Sequence, residues 1–401
     1  MRCVAQFQTQ ISIVFFFFFQ VHQVPKMRAS TLFTGALLGS ATLVAADCST
    51  VLFNLQVTAD NAVFASPPDP ANETEVIQFT LSSFRGTPPV ISGTTSVSGN
   101  FTIAGTYCAP ADQSKNTLQI LVHGITYSRE YWSGFGVNPA NNWHLAANNR
   151  GYATLAIDRL GHGSNPQRPD PLTVVQPQIQ IELLHQLFVA IRSQPPTSSI
   201  NPLGRTYNKL VFVGHSYGSA LGNALARQYP SDADALVLTA YTSSLNFTPL
   251  AIADWTPLSR HTPSSGNLPL GYLTLANQTE RTLGFYSGDF DPSLPVADFL
   301  HEDSLTSGEA GAISTTLIPN TNNYTKPIFL ATGAQDALLC ATTAELCEEI
   351  LKKTRVDFFP GLQDDNLFGF VAPDKTGHDV HLHSSAGMVF GAVHDFLDAK
   401  L

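Results

Sequence analysis

The chain has 401 residues, of which 43% are hydrophobic and 13% charged, a balance that can bury a large core and is unlike that of a disordered chain. Its formal charge is -10, and its 21 Lys and Arg residues are scattered rather than clustered, which argues against binding to a nucleic-acid phosphate backbone. Two N-terminal apolar segments, Ile11 to Phe19 and Thr31 to Ala46, are too short or too mixed for a stable membrane span.

Those first residues read as targeting material. Met27 and Arg28 supply a start and a positive charge, an apolar stretch follows, and "VAAD" places small residues before a cleavage after Ala46. Residues 1–46 are therefore expected to be a leader and secretory signal. Translation is expected to start at Met27, with residues 1–26 either a misassigned gene start or an unusually long leader. The remaining chain keeps four cysteines, Cys48, Cys108, Cys340 and Cys347, an even number suited to an oxidising compartment. Three pairings are open, and locality favours Cys48 with Cys108 and Cys340 with Cys347. Sequons at Asn72, Asn100, Asn246, Asn277 and Asn323 add to the expectation of a secreted glycoprotein.

Residues 47–115 alternate apolar and polar residues in "NLQVTADNAVFA" and "VSGNFTIAGTYC", the pattern of antiparallel strands at a sheet edge. From Leu118 onward, short apolar runs alternate with amphipathic segments. Strands are expected at "LQILVHG", "ATLAIDR", "KLVFVGH", "ALVLTAY" and "PIFLATG". Helices are expected near Asn141–Asn149, Val174–Ser193, Tyr217–Gln228, Thr342–Lys353 and Ser384–Lys400. The rhythm breaks between Thr242 and Lys326, in a stretch too long for a structureless loop inside a compact domain and therefore read as an inserted cap. The expected division is 47–241 and 326–401 for the two parts of an α/β core, with 242–325 as the cap or lid.

The chemistry concentrates in "KLVFVGHSYGSALGNAL", where a strand runs into Gly214, His215, Ser216, Tyr217 and Gly218 and then into a helix. A turn this tight holds its serine at strained backbone angles and exposes the hydroxyl, and the glycines two before and two after supply the missing bulk. A serine hydroxyl needs a histidine to take its proton and a carboxylate to orient that histidine. Asp336 follows the strand "KPIFLATG" at the sheet's C-terminal edge, with a helix cap as the lesser alternative for an aspartate just before a helix. Of the histidines beyond it, His378 follows "DKTG" in a loop that can reach across the strand ends. His381 and His383 remain alternatives, and His394 reads as a helix-surface residue. The "HDVHLH" spacing fits no zinc signature, so no metal is expected. Oxyanion donors are expected from the amides of Tyr217, after the nucleophile, and Ile125, in the loop after "LQILVHG".

The order Ser216, Asp336, His378, with "HG" upstream and "DRLGHG" at Asp158 to Gly163, resembles the serine-nucleophile α/β-hydrolase superfamily, and the leader, sequons and cap are similar to its secreted fungal members. The resemblance covers about residues 115–401. It implies an α/β fold with an eight-stranded, mostly parallel central sheet flanked by helices, a variable cap inserted after the sixth strand, and no metal or organic cofactor. It makes "DRLGHG" a structural loop, so His162 is given no catalytic role. An acid elsewhere, Asp364 or Asp365, stays open.

Serine at the elbow, where related epoxide hydrolases and dehalogenases carry aspartate, points to acyl transfer to water. The expected function is cleavage of small or medium apolar carboxylic esters, a small-molecule substrate without nucleic acid or membrane partners. Trp255, Tyr272, Phe285, Tyr286 and Phe290 are candidates for an apolar wall over the substrate, or plain cap core. Two further readings are a slow or non-catalytic ligand-binding member of the fold, and a C-C bond or lactone hydrolase using the same triad.

Overall fold

The computed structural model describes residues 47–111, 114–195, 198, 200–261, 266–319 and 323–401. The expected leader, Met27 and the cleavage after Ala46 lie outside the described residues. Two long strands, β1 (Asp47–Phe64) and β2 (Ile91–Ala109), pair antiparallel along almost their whole length. Period-two alternation explains β1: Val51, Phe53, Leu55, Val57 and Ala59 are buried while the residues between them are exposed. The turn between these strands carries a helix the alternation does not predict, α1 (Glu73–Phe84). Asn72 caps it by accepting from the Glu75 amide, and its own side-chain amide donates to the Glu75 carboxylate.

Strands β3 (Thr117–Val122), β4 (Ala153–Ile157), β5 (Lys209–His215), β6 (Ala235–Thr239), β10 (Ile328–Ala331) and β11 (Phe368–Val371) complete one sheet of eight strands, in the order β1-β2-β4-β3-β5-β6-β10-β11. From β4 to β11 every neighbouring pair is parallel, and β2 meets β4 antiparallel. The inner strands are apolar without alternation because helices cover both faces of a parallel sheet. Helices α2 (Trp143–Asn148), α3 (Pro177–Ser193), α4 (Tyr217–Gln228), α10 (Ala344–Phe358) and α11 (Ala386–Lys400) supply that cover. In α3, Ile179, Leu183, Leu184, Leu187 and Ile191 form the apolar stripe, and the helix packs on β1.

Between β6 and β10, the sixth and seventh strands of this sheet in chain order, lies the insertion. It contains the short helices α5 (Thr248–Ile252) and α6 (Leu258–His261), then α7 (Gln278–Phe285), α8 (Ser293–Leu300) and α9 (Ser307–Gly311). Strands β7 (Trp255–Pro257), β8 (Tyr272–Leu275) and β9 (Leu305–Thr306) form its own antiparallel sheet. Helix α1 packs against α5 and α9, so the N-terminal excursion and the insertion share a boundary.

Disulfides join Cys48 to Cys108, across paired β1 and β2, and Cys340 to Cys347. Of the sequon asparagines, Asn72, Asn100, Asn246 and Asn323 are exposed and Asn277 is half-buried at the N-cap of α7. Among the described residues no helix is long and apolar enough to cross a membrane.

Candidate active site

Strand β5 ends at His215, helix α4 begins at Tyr217, and Ser216 between them has φ 53° and ψ -117°. That left-handed strain in a non-glycine residue is held by the packing around the turn. The two flanking glycines are required by close approach rather than by positive φ. A methyl at Gly218 would lie 2.2 Å from the Val122 carbonyl oxygen, and one at Gly214 would lie 2.6 Å from the Ser219 amide nitrogen. The Ser216 amide donates to the Thr239 carbonyl at 2.9 Å, tying the elbow to β6.

The Ser216 hydroxyl donates to His378 Nε2 at 2.8 Å, and His378 Nδ1 donates to Asp336 Oδ2 at 2.8 Å. Asp336 is in the turn after β10, where its other carboxylate oxygen accepts the Leu338 amide at 2.9 Å. It does not cap α10, whose N-cap is Thr343. Burial alone would lower the His378 pKa. The neighbouring Asp336 and then Asp379 outweigh that effect and hold it above the ordinary imidazole value.

The other histidines have different partners. His381 Nε2 donates to the Tyr131 carbonyl and its ring stacks on Trp132, while burial drives its pKa down to about 3. His383 accepts the amides of Gly377 and Ser287 on Nε2 and donates through Nδ1 to the Asp379 carbonyl, bracing the loop that carries His378. His394, expected on a helix surface, is 1% exposed. It donates back to the Phe390 carbonyl inside α11 because that face packs against Trp143 and Tyr152. Asp364 and Asp365 are exposed, the first capping a short turn and the second pairing with Arg355. His162 is clamped between Asp303 and Glu309 and lines no part of the pocket beside Ser216.

That pocket is walled by Ile125, Tyr217, Ala220, Tyr241, Leu250, Ile313, Leu317, Leu338 and Leu339, with Phe84 of α1 closing one side. Among the described residues, no Asp, Glu, Lys or Arg side chain lines it, and His378 is its one imidazole. The five cap aromatics expected as its wall do not line it. Trp255 donates to the Leu250 carbonyl and stacks behind Phe84, and the Tyr272 hydroxyl donates to the Pro169 carbonyl. Phe285 stacks against the back of His378 with 5.6 Å between ring centroids, and Tyr286 packs on Phe290 and His383. Trp255, Tyr272, Phe285 and Tyr286 are core, in β7, in β8 and at the C-terminal end of α7 over the His378 loop, and Phe290 is half-buried against Tyr286 and His383. The wall comes from segments whose contact is non-local.

Behind the site lie buried groups that local patterns did not single out. Arg159 touches the loop after β3. Tyr127 stands between Asp379 and Asp298, and Arg281 of α7 pairs with Asp298 of α8. "DRLGHG" contains Arg159, but nothing in its spacing indicates what the guanidinium contacts.

Comparison with known proteins adds the following. No curated protein matches the sequence. Among solved structures, an esterase from Thermogutta terrifontis is 15% identical with a TM-score of 0.46 over 75% of this chain and 95% of its own. A hydrolase from Pseudomonas aeruginosa is 18% identical with a TM-score of 0.46, covering 74% and 95%. A monoacylglycerol lipase from Paleococcus ferrophilus is 15% identical with a TM-score of 0.44, covering 74% and 98%. The sequence model of the alpha/beta hydrolase family matches residues 119–389, more than half of the chain. That match takes in the parallel strands from β3 to β11 and the insertion between β6 and β10, and this chain belongs to the alpha/beta hydrolase family.

Proposed function

We propose that the protein is a secreted serine hydrolase that cleaves small or medium uncharged carboxylic esters through an acyl-enzyme. The observation that carries this reading is the single imidazole of His378, placed 2.8 Å from both the Ser216 hydroxyl and the Asp336 carboxylate. In the reaction His378 Nε2 takes the Ser216 proton as the serine oxygen attacks the ester carbonyl. The amides of Ile125 and Tyr217 receive the oxyanion, and Asp336 steadies the imidazolium. His378 then gives that proton to the departing alcohol. A water activated by the same histidine attacks the acyl-enzyme, and the acid leaves as Ser216 regains its proton.

A largely apolar pocket with no Asp, Glu, Lys or Arg among its described lining residues favours a neutral substrate, since a buried charge there would be poorly compensated. Residues 47–241 and 326–401 serve as the catalytic core and 242–325 as its cap. The two disulfides and four exposed sequon asparagines support secretion.

A fluorescent fluorophosphonate tests the reading. Wild type should be labelled once, at Ser216, and Ser216→Ala not at all; a folded wild type that resists labelling sinks it.

A further inference from the structure

Arg159, in the turn after β4, is 3% exposed and donates to two successive carbonyls of the loop after β3: Nε to His123 O at 3.1 Å and Nη2 to Gly124 O at 3.0 Å. Its Nη1 donates to Gln180 at 2.8 Å and pairs with Glu309 of α9, in the cap. Gly124 O also accepts His123 Nδ1 at 2.9 Å, while His123 Nε2 accepts the Arg159 main-chain N-H at 3.1 Å, so His123 is the neutral Nδ1-H tautomer.

In a trans peptide the carbonyl and the N-H point in opposite directions. Holding Gly124 O from one side therefore aims the Ile125 N-H to the other, and Ile125 and Ser216 line the same pocket. An amide whose oxygen accepts two hydrogen bonds, one from a cation, is also a stronger donor through its N-H. The same guanidinium lies 4.8 Å from the ring centroid of Tyr217, whose amide is the other oxyanion donor in the proposed mechanism.

We propose that Arg159 is a positioning residue that sets the Ile125 oxyanion-hole amide, and that Glu309 couples this setting to the folded cap. The inference rests on the serine-hydrolase reading. Glu309 is itself fixed, accepting from Gln180 at 2.7 Å and His162 at 3.1 Å and closing a capping box with Thr306. A lysine at 159 would keep the charge for Glu309 but not the planar fork that reaches two carbonyls.

The test compares Arg159→Lys and Glu309→Gln with wild type on an aryl ester, after circular dichroism has established that each is folded. Arg159→Lys should lower kcat by about 10- to 100-fold, less than the roughly 10²- to 10³-fold loss on removing an oxyanion donor outright, with KM within about 2-fold. The pH profile should not move, because His378 and Asp336 are untouched; a merely structural role would lower the melting temperature and leave kcat alone. Glu309→Gln should act in the same direction less strongly, and it decides by the same kcat criterion should Arg159→Lys not fold. A folded variant with kcat within about 2-fold of wild type, or a loss carried by KM, overturns the proposal. Fluorophosphonate labelling separates the two failures. Absent labelling of wild type at Ser216 removes the hydrolase reading, whereas a labelled wild type with an unimpaired Arg159→Lys removes only this inference.

Discussion

Tyr127 Oη lies 2.6 Å from Asp379 Oδ2, in the residue immediately after His378, and the same oxygen lies 3.1 Å from Asp298 Oδ2. A phenol has one proton and can donate to only one of two carboxylates, so a second hydrogen bond requires that one carboxyl carry a proton and donate to Oη. Arg281 donates twice to Asp298 Oδ1, which favours the ionised form there and leaves Asp379 as the protonated partner. Burial pushes both carboxyls up to about 6.

This arrangement makes stability fall with rising pH. The folded protein holds these protons more tightly than the unfolded chain, so the pair's contribution is complete below the unfolded value of 3.8 and is lost as pH rises through about 6. Asp379→Asn stays neutral at every pH and can still donate to Tyr127. Its stability relative to wild type should rise between about pH 4 and 6 and then level off, by a total on the order of 1–3 kcal/mol. Urea titrations of both proteins across that range check this, and a difference independent of pH counts against the shared proton.

In the proposed mechanism His378 must be neutral to accept the Ser216 proton, and its pKa lies above the ordinary 6.5. The acid limb of kcat/KM should therefore fall above that value, with activity rising as pH increases through it. Asp336→Asn should lower kcat by about 10³- to 10⁴-fold, as the loss of an orienting carboxylate does in other triads, and shift the limb downward. A mutant that keeps a tenth of the wild-type rate would assign the acid elsewhere.

Two glycine-to-alanine substitutions should act in opposite directions. Gly218→Ala drives a methyl against the carbonyl oxygens of Val122 and His123, at 2.2 and 2.7 Å, both backbone atoms that cannot swing away. Loss of folding or a cost above about 3 kcal/mol is expected. Gly391, inside α11, has no atom beyond its own helix backbone and chain neighbours within 4 Å of the added methyl, so Gly391→Ala should stabilise by about 0.5–1 kcal/mol through helix propensity. Denaturant midpoints of the two variants check both signs.

The disulfides should differ in what their loss affects. Cys48–Cys108 links positions 60 residues apart at the far edge of the sheet. Replacing both with serine should cost about 4 kcal/mol in the loop-entropy model and leave kcat unchanged. Cys340–Cys347 spans only 7 residues, but the Cys340 amide donates to the Asp336 carbonyl at 3.0 Å. Its removal should cost about half as much stability and lower kcat by loosening the Asp336 turn. Equal kcat values for the two double-serine variants would show that the Asp336 turn does not need its disulfide.

Some of this organisation could be read directly from the chain. The elbow is local: β5, Ser216 and α4 lie within 20 consecutive residues, and the glycines two positions to either side record a clash with backbone. The parallel strands were visible as uninterrupted apolar runs, and the first hairpin as alternation. Helix α1 leaves little trace in the sequence because its apolar face is short, and strand β11 because "FGFV" is brief and its residues are only half-buried.

The sequence by itself determined the strand-and-helix rhythm and the strained serine turn, because each depends on neighbours a few residues apart. Only the tertiary structure decided which aromatics face the pocket, that Phe84 of an N-terminal helix closes it, that His394 is buried, and that Arg159 reaches Glu309 150 residues away. Those outcomes depend on how the cap and core pack. Packing is set by shape and charge complementarity between segments distant in the chain, which neither periodicity nor motif spacing encodes.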